Sequence, residues 1–331
     1  MAFCQAELFM THAFSALSPS TIVGAIESVG VYPAGEPFAL NSYENRVLML
    51  RDDSGGRWVV KFYRPGRWTA AAIQEEHDYL HELRAAGVSV APPARLNSGQ
   101  TLHRFAGFAF ALFPQQPGQA PELDNPAHLF ALGEVIGRLH KTAEQGEFAH
   151  RPRLALVEDT VRASASVLAS GWLSKQQRRA YQSVTEGLTQ ALAEVAVPNM
   201  LRCHGDCHLG NILGREDAFT LVDFDDCLMA PAIQDIWMLL PTGDPDAWRA
   251  QLSEVCEGYA QERRFPDEEL ALIEPLRSYR MVRHSAWIIA RWSDPAFPRA
   301  FPWVGECGYW DSHIRQLEQQ RVRLASPRWL A

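Results

Sequence analysis

At 331 residues the chain can bury one large core or two packed lobes, and with 47% hydrophobic and 21% charged residues its composition excludes wholesale disorder. Lys and Arg number 31 against 39 Asp and Glu, a net charge of −8 that argues against a general nucleic-acid binder, whose affinity rests on neutralising phosphates. The six Cys lack the dense spacing of a disulfide framework, no uninterrupted apolar run of about 18 residues can span a bilayer, and the N-terminus has no basic segment followed by a small-residue cleavage site. The expectation is a cytoplasmic protein with reduced thiols and neither nucleic acid nor membrane as partner.

In chain order, the stretch from Phe38 to Phe113 is mostly strand. Arg46–Arg51 and Arg57–Tyr63 flank Asp52-Asp-Ser-Gly-Gly56, a hairpin signal. Period-2 alternation puts Trp58, Val60 and Phe62 on one face of the second strand and Val59, Lys61 and Tyr63 on the other. Thr69 is placed to cap a helix running to about Ala86, with Gly87 as its stop and Ile73, Glu76, Leu80 and Leu83 on one stripe. A strand over Gly107–Phe113 ends in Pro114-Gln-Gln-Pro-Gly118, the best linker candidate. Beyond Pro126 the pattern turns helical: Leu129, Leu132, Ile136 and Leu139 form a stripe, and amphipathic stretches cover 158–169, 175–195, 247–263 and 267–292. Among them only Phe219-Thr-Leu-Val222 reads as strand. The fold class expected is α+β and bilobal: a β-rich nucleotide-binding lobe over 1–113, a hinge at 114–118 and a mainly helical catalytic and substrate lobe over 119–331.

The chemistry is concentrated in His204-Gly-Asp-Cys-His-Leu-Gly-Asn-Ile-Leu213 and Leu221-Val-Asp-Phe-Asp225. Asp206, an Asn five residues later and Asp223 twelve beyond that are what phosphoryl transfer from ATP needs. Asp206 takes the proton of the acceptor hydroxyl, the amide oxygen of Asn211 holds Mg²⁺, and Asp223 holds the Mg²⁺ that bridges the phosphates. Alone, Asp206 would read as a turn Asp capping a backbone N–H; joined to Asn211 and Asp223 it reads as the base. Asp225 and Asp226 either support the metal or serve as turn residues. Asp235, at a probable helix start, is expected to brace this loop by hydrogen bonds.

Lys61 sits inside an apolar strand, where its charge is costly without a partner. Glu76, on the otherwise apolar stripe of the next helix, is the natural partner, and Glu75 the competitor; such a pair would hold the lysine against the α- and β-phosphates of ATP. Cys203, His204, Cys207 and His208 also suggest zinc, but the intervening Gly-Asp and following Asn are better explained by phosphoryl transfer. His140 reads as a packed or capping histidine. Arg277, Arg280, Arg283, His284 and Arg291, among Tyr279, Trp287 and Trp292, form either a helix whose arginines pair with the Asp cluster, the preferred reading, or a basic groove for acidic substrate groups.

With those residues in hand the chain resembles the aminoglycoside-phosphotransferase-like and choline-kinase-like branch of the protein-kinase fold, and within it the stress response kinase A family of bacterial serine/threonine protein kinases. The likeness rests on Leu40-Asn-Ser-Tyr-Glu-Asn-Arg-Val47, Val59-Val-Lys-Phe-Tyr-Arg-Pro65, Glu75-Glu-His77, His204-Gly-Asp-Cys-His208, Gly210-Asn-Ile-Leu213, Val222-Asp223, Pro231-Ala-Ile-Gln-Asp235 and Asp294-Pro-Ala-Phe-Pro298. The resemblance implies Asp206 as proton acceptor, Asn211 and Asp223 as Mg²⁺ ligands, and Ser42 at the ATP phosphates in the loop between the first two strands. It further implies a monomeric, autophosphorylating cytoplasmic enzyme that acts on protein Ser and Thr in stress responses. The chain departs from eukaryotic-type kinases in lacking a Gly-x-Gly-x-x-Gly loop, in carrying Gly205 where many have Arg, and in having Phe-Asp after Asp223. The same machinery serves small-molecule hydroxyls, and the net charge of −8 suits a cationic one of the aminoglycoside or choline kind. An ATP-binding pseudokinase is the third reading, opposed by the presence of Lys61, Asp206, Asn211 and Asp223 together.

Overall fold

The computed structural model describes residues 13–96, 99–197, 199–215, 218–240 and 245–325. Its first helix, α1 (Pro19–Glu27), begins where Ser18 accepts the Thr21 N–H and Pro19 needs no donor. Five strands follow: β1 (Phe38–Ala39), β2 (Arg46–Arg51), β3 (Arg57–Phe62), β4 (His103–Phe105) and β5 (Phe108–Pro114). They form one antiparallel sheet in the order β1-β2-β3-β5-β4. The predicted hairpin is β2–β3, and Asp52 ties its turn through the Gly56 N–H and the Trp58 indole.

Alternation along β3 sorts its side chains as the pattern requires. Val60 and Phe62 enter an apolar cluster with Ile26, Leu48, Leu50, Phe110 and Leu112. Lys61 points the other way, between Val47 of β2 and Ala111 of β5 in register, on the face where helix α2 (Ala70–Ala85) lies. Thr69 caps α2 by accepting the Ala72 N–H, and Gly87, at φ 82°, follows its end.

The remainder is mainly helical: α3 (Pro126–Ala143), α4 (Leu156–Ala169), α5 (Lys175–Ala193), α6 (Pro245–Ala260), α7 (Ile273–Ala290), α8 (Ala296–Ala300) and α9 (Tyr309–Ala325). The predicted helix over 267–292 is divided, with a 3₁₀ turn at Asp267–Leu272 ahead of α7. Pro275 accounts for the division, because a start at Ile273 leaves it in the first turn, where its missing N–H costs nothing. Two small two-stranded pairs have no counterpart in the sequence pattern beyond the segment at Phe219. These are β6 (Leu201–Cys203) with β9 (Leu228–Ala230), and β7 (Ile212–Arg215) with β8 (Ala218–Leu221). Strands of three or four residues are too short to display a period of two.

One core joins α2, α3, β6–β9 and α7; a second lies among α4, α5, α7 and α9. After β5 the chain crosses to the helical part, where Gln119 and Gly214 of β7 exchange backbone hydrogen bonds of 2.9 and 2.6 Å. Among the described residues no helix is long and apolar enough to cross a membrane.

Candidate active site

The pairing of β6 with β9, Cys203 opposite Leu228, brings the 204–211 loop against residues 223–227. Asp235 clamps the start of that loop: its Oδ2 accepts the His204 N–H at 2.7 Å and its Oδ1 the Gly205 N–H at 2.8 Å. His140 joins the same carboxylate at 3.2 Å through Nε2, with Nδ1 2.9 Å from the Tyr259 hydroxyl, so it is a packed and bonded histidine. Burial alone would raise the Asp235 carboxyl; the bonds from His140 and the Gly205 N–H hold it below the usual range. Gly205 takes φ 88°, and a Cβ there would lie 2.1 Å from the Asp226 carbonyl oxygen, so the two loops touch through backbone.

From this clamp the predicted residues converge. Asn211 donates its amide N–H to the Asp206 carbonyl at 3.0 Å, while the Val222 N–H reaches the Asn211 carbonyl at 3.0 Å. His204 Nε2 lies 2.9 Å from the Val222 carbonyl, completing a lattice that fixes Asp206, Asn211 and Asp223 relative to one another. Asp223 follows β8 in the left-handed region, φ 61° and ψ 67°, a conformation that costs a non-glycine residue of order 1 kcal/mol or more. Such strain persists only where surrounding bonds overdetermine it.

Lys61 donates to Asp223 Oδ1 at 2.8 Å and lies 3.2 Å from Asp225 Oδ1 and 3.7 Å from Glu76 Oε1. Glu76 is 1% exposed, and burial pushes its carboxyl up to about 7 against the pull of Lys61 and Arg151. Glu75 is spent elsewhere: its carboxylate accepts the backbone N–H groups of Ala149, His150 and Arg151 at 2.6–2.8 Å, tying α2 to the loop before α4. Burial opposes the charge on Lys61, but Asp223, Asp225 and Glu76 outweigh it and hold the ammonium protonated.

Asp225 carries more of the site than its neighbourhood in the sequence suggests. It is buried and paired with Lys61 and Arg67, and Arg151 bonds its carbonyl. Its Oδ1 has no aligned hydrogen-bond donor despite full burial. Arg67 also holds Asp226. Neither Arg67, in a Pro-Gly turn, nor Arg151, in an aperiodic loop, has a sequence signal that marks it.

On the opposite side, Arg280 of α7 donates to Asp206 Oδ1 at 2.6 Å, and His208 Nε2 lies 3.4 Å from Oδ2. Burial would raise the Asp206 carboxyl, but His208 and Arg280 hold it well below the usual carboxylate range. The basic run on α7 therefore divides. Arg277 pairs with Glu274 inside the core and Arg291 with Glu44, whereas Arg280 faces Asp206 and the exposed Arg283 donates to the Tyr279 hydroxyl.

Ser42 lies in the β1–β2 loop, as the strand pattern has it. Its hydroxyl accepts the Val47 N–H at 3.1 Å and donates to the Asn45 carbonyl at 3.2 Å, so it orders its own loop rather than touching Lys61 or Asp223. The rest of that loop reaches across to the helical part. Glu44 pairs with Arg64 and Arg291 and accepts the Trp287 indole N–H, and Asp294 receives both Arg46 and Arg64. Among the described residues the close group of metal-ligand type is His140, Cys203 and Asp235, not the Cys and His pairs of the zinc reading. A cavity of about 650 Å³ opens elsewhere, between Ala143–Glu147 and Arg263–Glu269, and holds none of these residues.

Residues 36–269 match the model of the phosphotransferase enzyme family. The chain is 41% identical over 321 residues to serine/threonine protein kinase RdoA of Salmonella typhimurium, covering 95% of both chains. It is equally 41% identical over 320 residues to stress response kinase A of Escherichia coli K12, covering 95% of this chain and 96% of that one. The chain belongs to the stress response kinase A family of phosphotransferases. Solved structures of the same fold include amicoumacin kinase hAmiN, in a complex with AMP-PNP, Ca²⁺ and Ami (TM-score 0.70, 22% identity, 91% and 92% of the two chains). A microcompartment-associated aminopropanol kinase matches as well (TM-score 0.70, 19% identity, 93% and 100%). Choline kinase LicA of Streptococcus pneumoniae shares it at TM-score 0.61 and 14% identity over 92% and 98% of the chains. These likenesses show the fold of this family member, a bilobal kinase-like arrangement with a five-stranded sheet in its N-terminal region.

Proposed function

We propose that this stress response kinase A family member transfers the γ-phosphate of ATP to Ser and Thr hydroxyls of proteins, itself included, as a cytoplasmic monomer. The observation that carries the reading is the shared lattice of Asp206, Asn211 and Asp223, with Lys61 bonded to Asp223 across the site. Asp206, held ionised, accepts the proton of the acceptor hydroxyl as the oxygen attacks phosphorus. Lys61, held against Glu76, turns from Asp223 to the α- and β-phosphates. Ser42 rotates its hydroxyl from the Val47 N–H toward the phosphates, and residues 114–118 serve as the hinge.

The residues present fit Mg²⁺. Asn211 spends its amide nitrogen on the Asp206 carbonyl and keeps the amide oxygen for a cation, Asp223 is exposed, and Asp225 adds a buried carboxylate whose Oδ1 lies 3.2 Å from the Lys61 ammonium. These are hard oxygen ligands of the kind Mg²⁺ takes beside nucleotide phosphates, whose charge it neutralises when bound.

Protein acceptors are supported by 41% identity over 95% of the chain to a relative named as a serine/threonine protein kinase, and by the arginine rather than carboxylate beside Asp206. The test is transfer of labelled γ-phosphate to the protein itself and to a panel of Ser- and Thr-containing peptides, with Asp206→Ala as blank. Label on Ser or Thr that disappears in the variant is expected. Label confined to small amino alcohols would overturn the protein-acceptor reading.

A further inference from the structure

The acceptor side of Asp206 is cationic although the chain is acidic. Arg280 bonds Oδ1 of the carboxylate that an incoming hydroxyl must reach, with its own side chain 40% exposed, and the other oxygen, Oδ2, lies 3.4 Å from His208 Nε2. Arg283, one turn further along α7, is exposed and sits 4.9 Å over the Tyr279 ring; among the described residues it makes no ion pair with a carboxylate. The other carboxylates around this face are already engaged. Asp226 is held by Arg67, Glu44 by Arg64 and Arg291, and Asp159 by the Tyr279 hydroxyl and Arg162. Asp223, though exposed, is bonded to Lys61, so among the described residues a cationic acceptor would meet Arg280 and Arg283 with only already paired carboxylates to offset them.

Resting on the protein-acceptor reading, we infer that this site selects acid-flanked acceptors: a Ser or Thr with Asp or Glu one or two residues away. The flanking carboxylate draws Arg280 off Asp206 into a charge-assisted pair, which frees Oδ1 for the hydroxyl. The geometry suits the chain length of such a segment. Arg280 and Arg283 are three residues apart on a helix, about 4.5 Å of rise. An extended peptide advances about 3.3 Å per residue, so one arginine can meet the acid while the hydroxyl rests on Asp206. Arg280 thus acts twice, as a cover on the base and as the reader of the substrate's charge. Transfer itself is unchanged: the hydroxyl oxygen bonds to the γ-phosphorus as the bond to the β-γ bridging oxygen breaks, ADP leaves with that electron pair, and the hydroxyl proton passes to Asp206.

The test compares peptides that share one Ser and differ only in flanking Asp, Ala or Lys, phosphorylated by the full-length protein, Arg280→Gln, Arg280→Lys, Arg283→Glu and the Asp206→Ala blank. The wild type is expected to favour Asp-flanked over Ala-flanked peptide by about 10-fold or more in kcat/KM, mostly through KM, with Lys-flanked peptide poorest. Arg280→Gln should flatten the ranking, Arg280→Lys should restore part of it, and Arg283→Glu should shift it toward Lys. Thermal unfolding of each variant separates lost recognition from lost fold, and the exposed position of Arg283 keeps one variant informative if Arg280→Gln unfolds. Equal labelling of all three peptides, or a ranking unmoved by both substitutions, overturns the inference and leaves the kinase reading standing. No label on any peptide, with ATP bound, overturns the protein-acceptor reading and the inference with it.

Discussion

Arg46 on β2 donates from Nη2 to both carboxylate oxygens of Asp294 after α7, at 2.7 and 2.9 Å between residues 248 positions apart, and Arg64 adds a third bond of 2.8 Å to the same carboxylate. Together with Glu44, Trp287 and Arg291 they latch the loop that carries Ser42 onto the helical part. Three of the segments on which the family resemblance rests, 40–47, 59–65 and 294–298, meet here. Within them Glu44, Arg46, Arg64 and Asp294 hold the loop down, while Lys61 faces Asp223.

Replacing Asp294 with Asn leaves two arginines facing a neutral group. Asp294 is buried while Arg46 and Arg64 keep partial exposure, so the expected cost is about 2–3 kcal/mol, below the 3–5 of a fully buried broken pair. Burial opposes ionisation of Asp294, but the Ala296 N–H, Arg64 and Arg46 depress its carboxyl below the ordinary 3.8. A depressed carboxylate contributes stability above its unfolded pKa and loses it as pH falls through the folded value. The Tm difference between wild type and Asp294→Asn should therefore be full at neutral pH and shrink below the ordinary carboxylate range. The variant's KM for ATP should rise if the loop carrying Ser42 contacts the phosphates as proposed, because it is no longer latched. An unchanged KM with lowered Tm would make the latch purely structural.

Asp206→Ala and Lys61→Ala should fail differently. Loss of the base should cost about 10²–10⁴ in kcat while ATP still binds. Loss of the lysine should raise KM for ATP as well and lower stability, since Glu76 would remain buried without its nearest cation. ATP affinity by calorimetry beside turnover by phosphate transfer separates the two, and turnover retained in Asp206→Ala would sink the assignment.

What the sequence makes legible is local. The β2–β3 hairpin, the Thr69 cap, the long helices and the spacing of Asp206, Asn211 and Asp223 all express themselves within a few turns of chain. Strands β6, β7 and β9 do not, since three or four residues show no period and Cys203 finds Leu228 only through the fold. The charge network is the least legible part. Asp225 with Arg67, Arg280 with Asp206 and Arg46 with Asp294 join residues 158, 74 and 248 positions apart, and an arginine carries no mark of which carboxylate it will meet. For that reason the α7 arginines read as one group in the sequence, yet divide into core, latch and acceptor-side residues.

Glu76 provides a pH test whose sign is opposite to that of Asp294. Burial raises its carboxyl from 4.5 to about 7 against the attraction of Lys61. Between those values the folded chain holds a proton that the unfolded chain has released, so stability falls as pH rises through the window and the cost is complete above it. Glu76→Gln should therefore gain stability relative to wild type as pH rises from about 5 to 8. Its activity should fall nonetheless, since Lys61 loses the anion opposing Asp223, and the rise in kcat/KM expected of the wild type as Glu76 ionises near pH 7 should be absent. Parallel Tm and kcat/KM profiles decide it; a variant that keeps the wild-type pH profile would remove Glu76 from the site's chemistry.

Gly205→Ala tests whether the 204–211 loop depends on backbone contact. The substitution adds one methyl group at φ 88°, where an L-residue is strained, and places it 2.1 Å from the carbonyl oxygen of Asp226, a backbone atom that cannot swing aside as a side chain would. Either the 204–206 segment or the 224–227 segment must move. Asp235, 1% exposed and bonded to both His204 and Gly205, resists the first movement, and Arg67 on Asp225 and Asp226, with Arg151 on the Asp225 and Cys227 carbonyls, resists the second. The expected result is a loss of about 2–4 kcal/mol in stability and a kcat lowered more than KM for ATP, because Asp206 shifts against Asp223 while the Lys61 and Ser42 side stays in place. Asp235→Asn, which keeps the shape but leaves one N–H of the clamp facing a donor, should reproduce the kcat loss at a smaller stability cost of about 1–3 kcal/mol. If Gly205→Ala lowers Tm but leaves kcat untouched, the contact between the two loops stabilises the fold without setting the distance between Asp206 and Asp223.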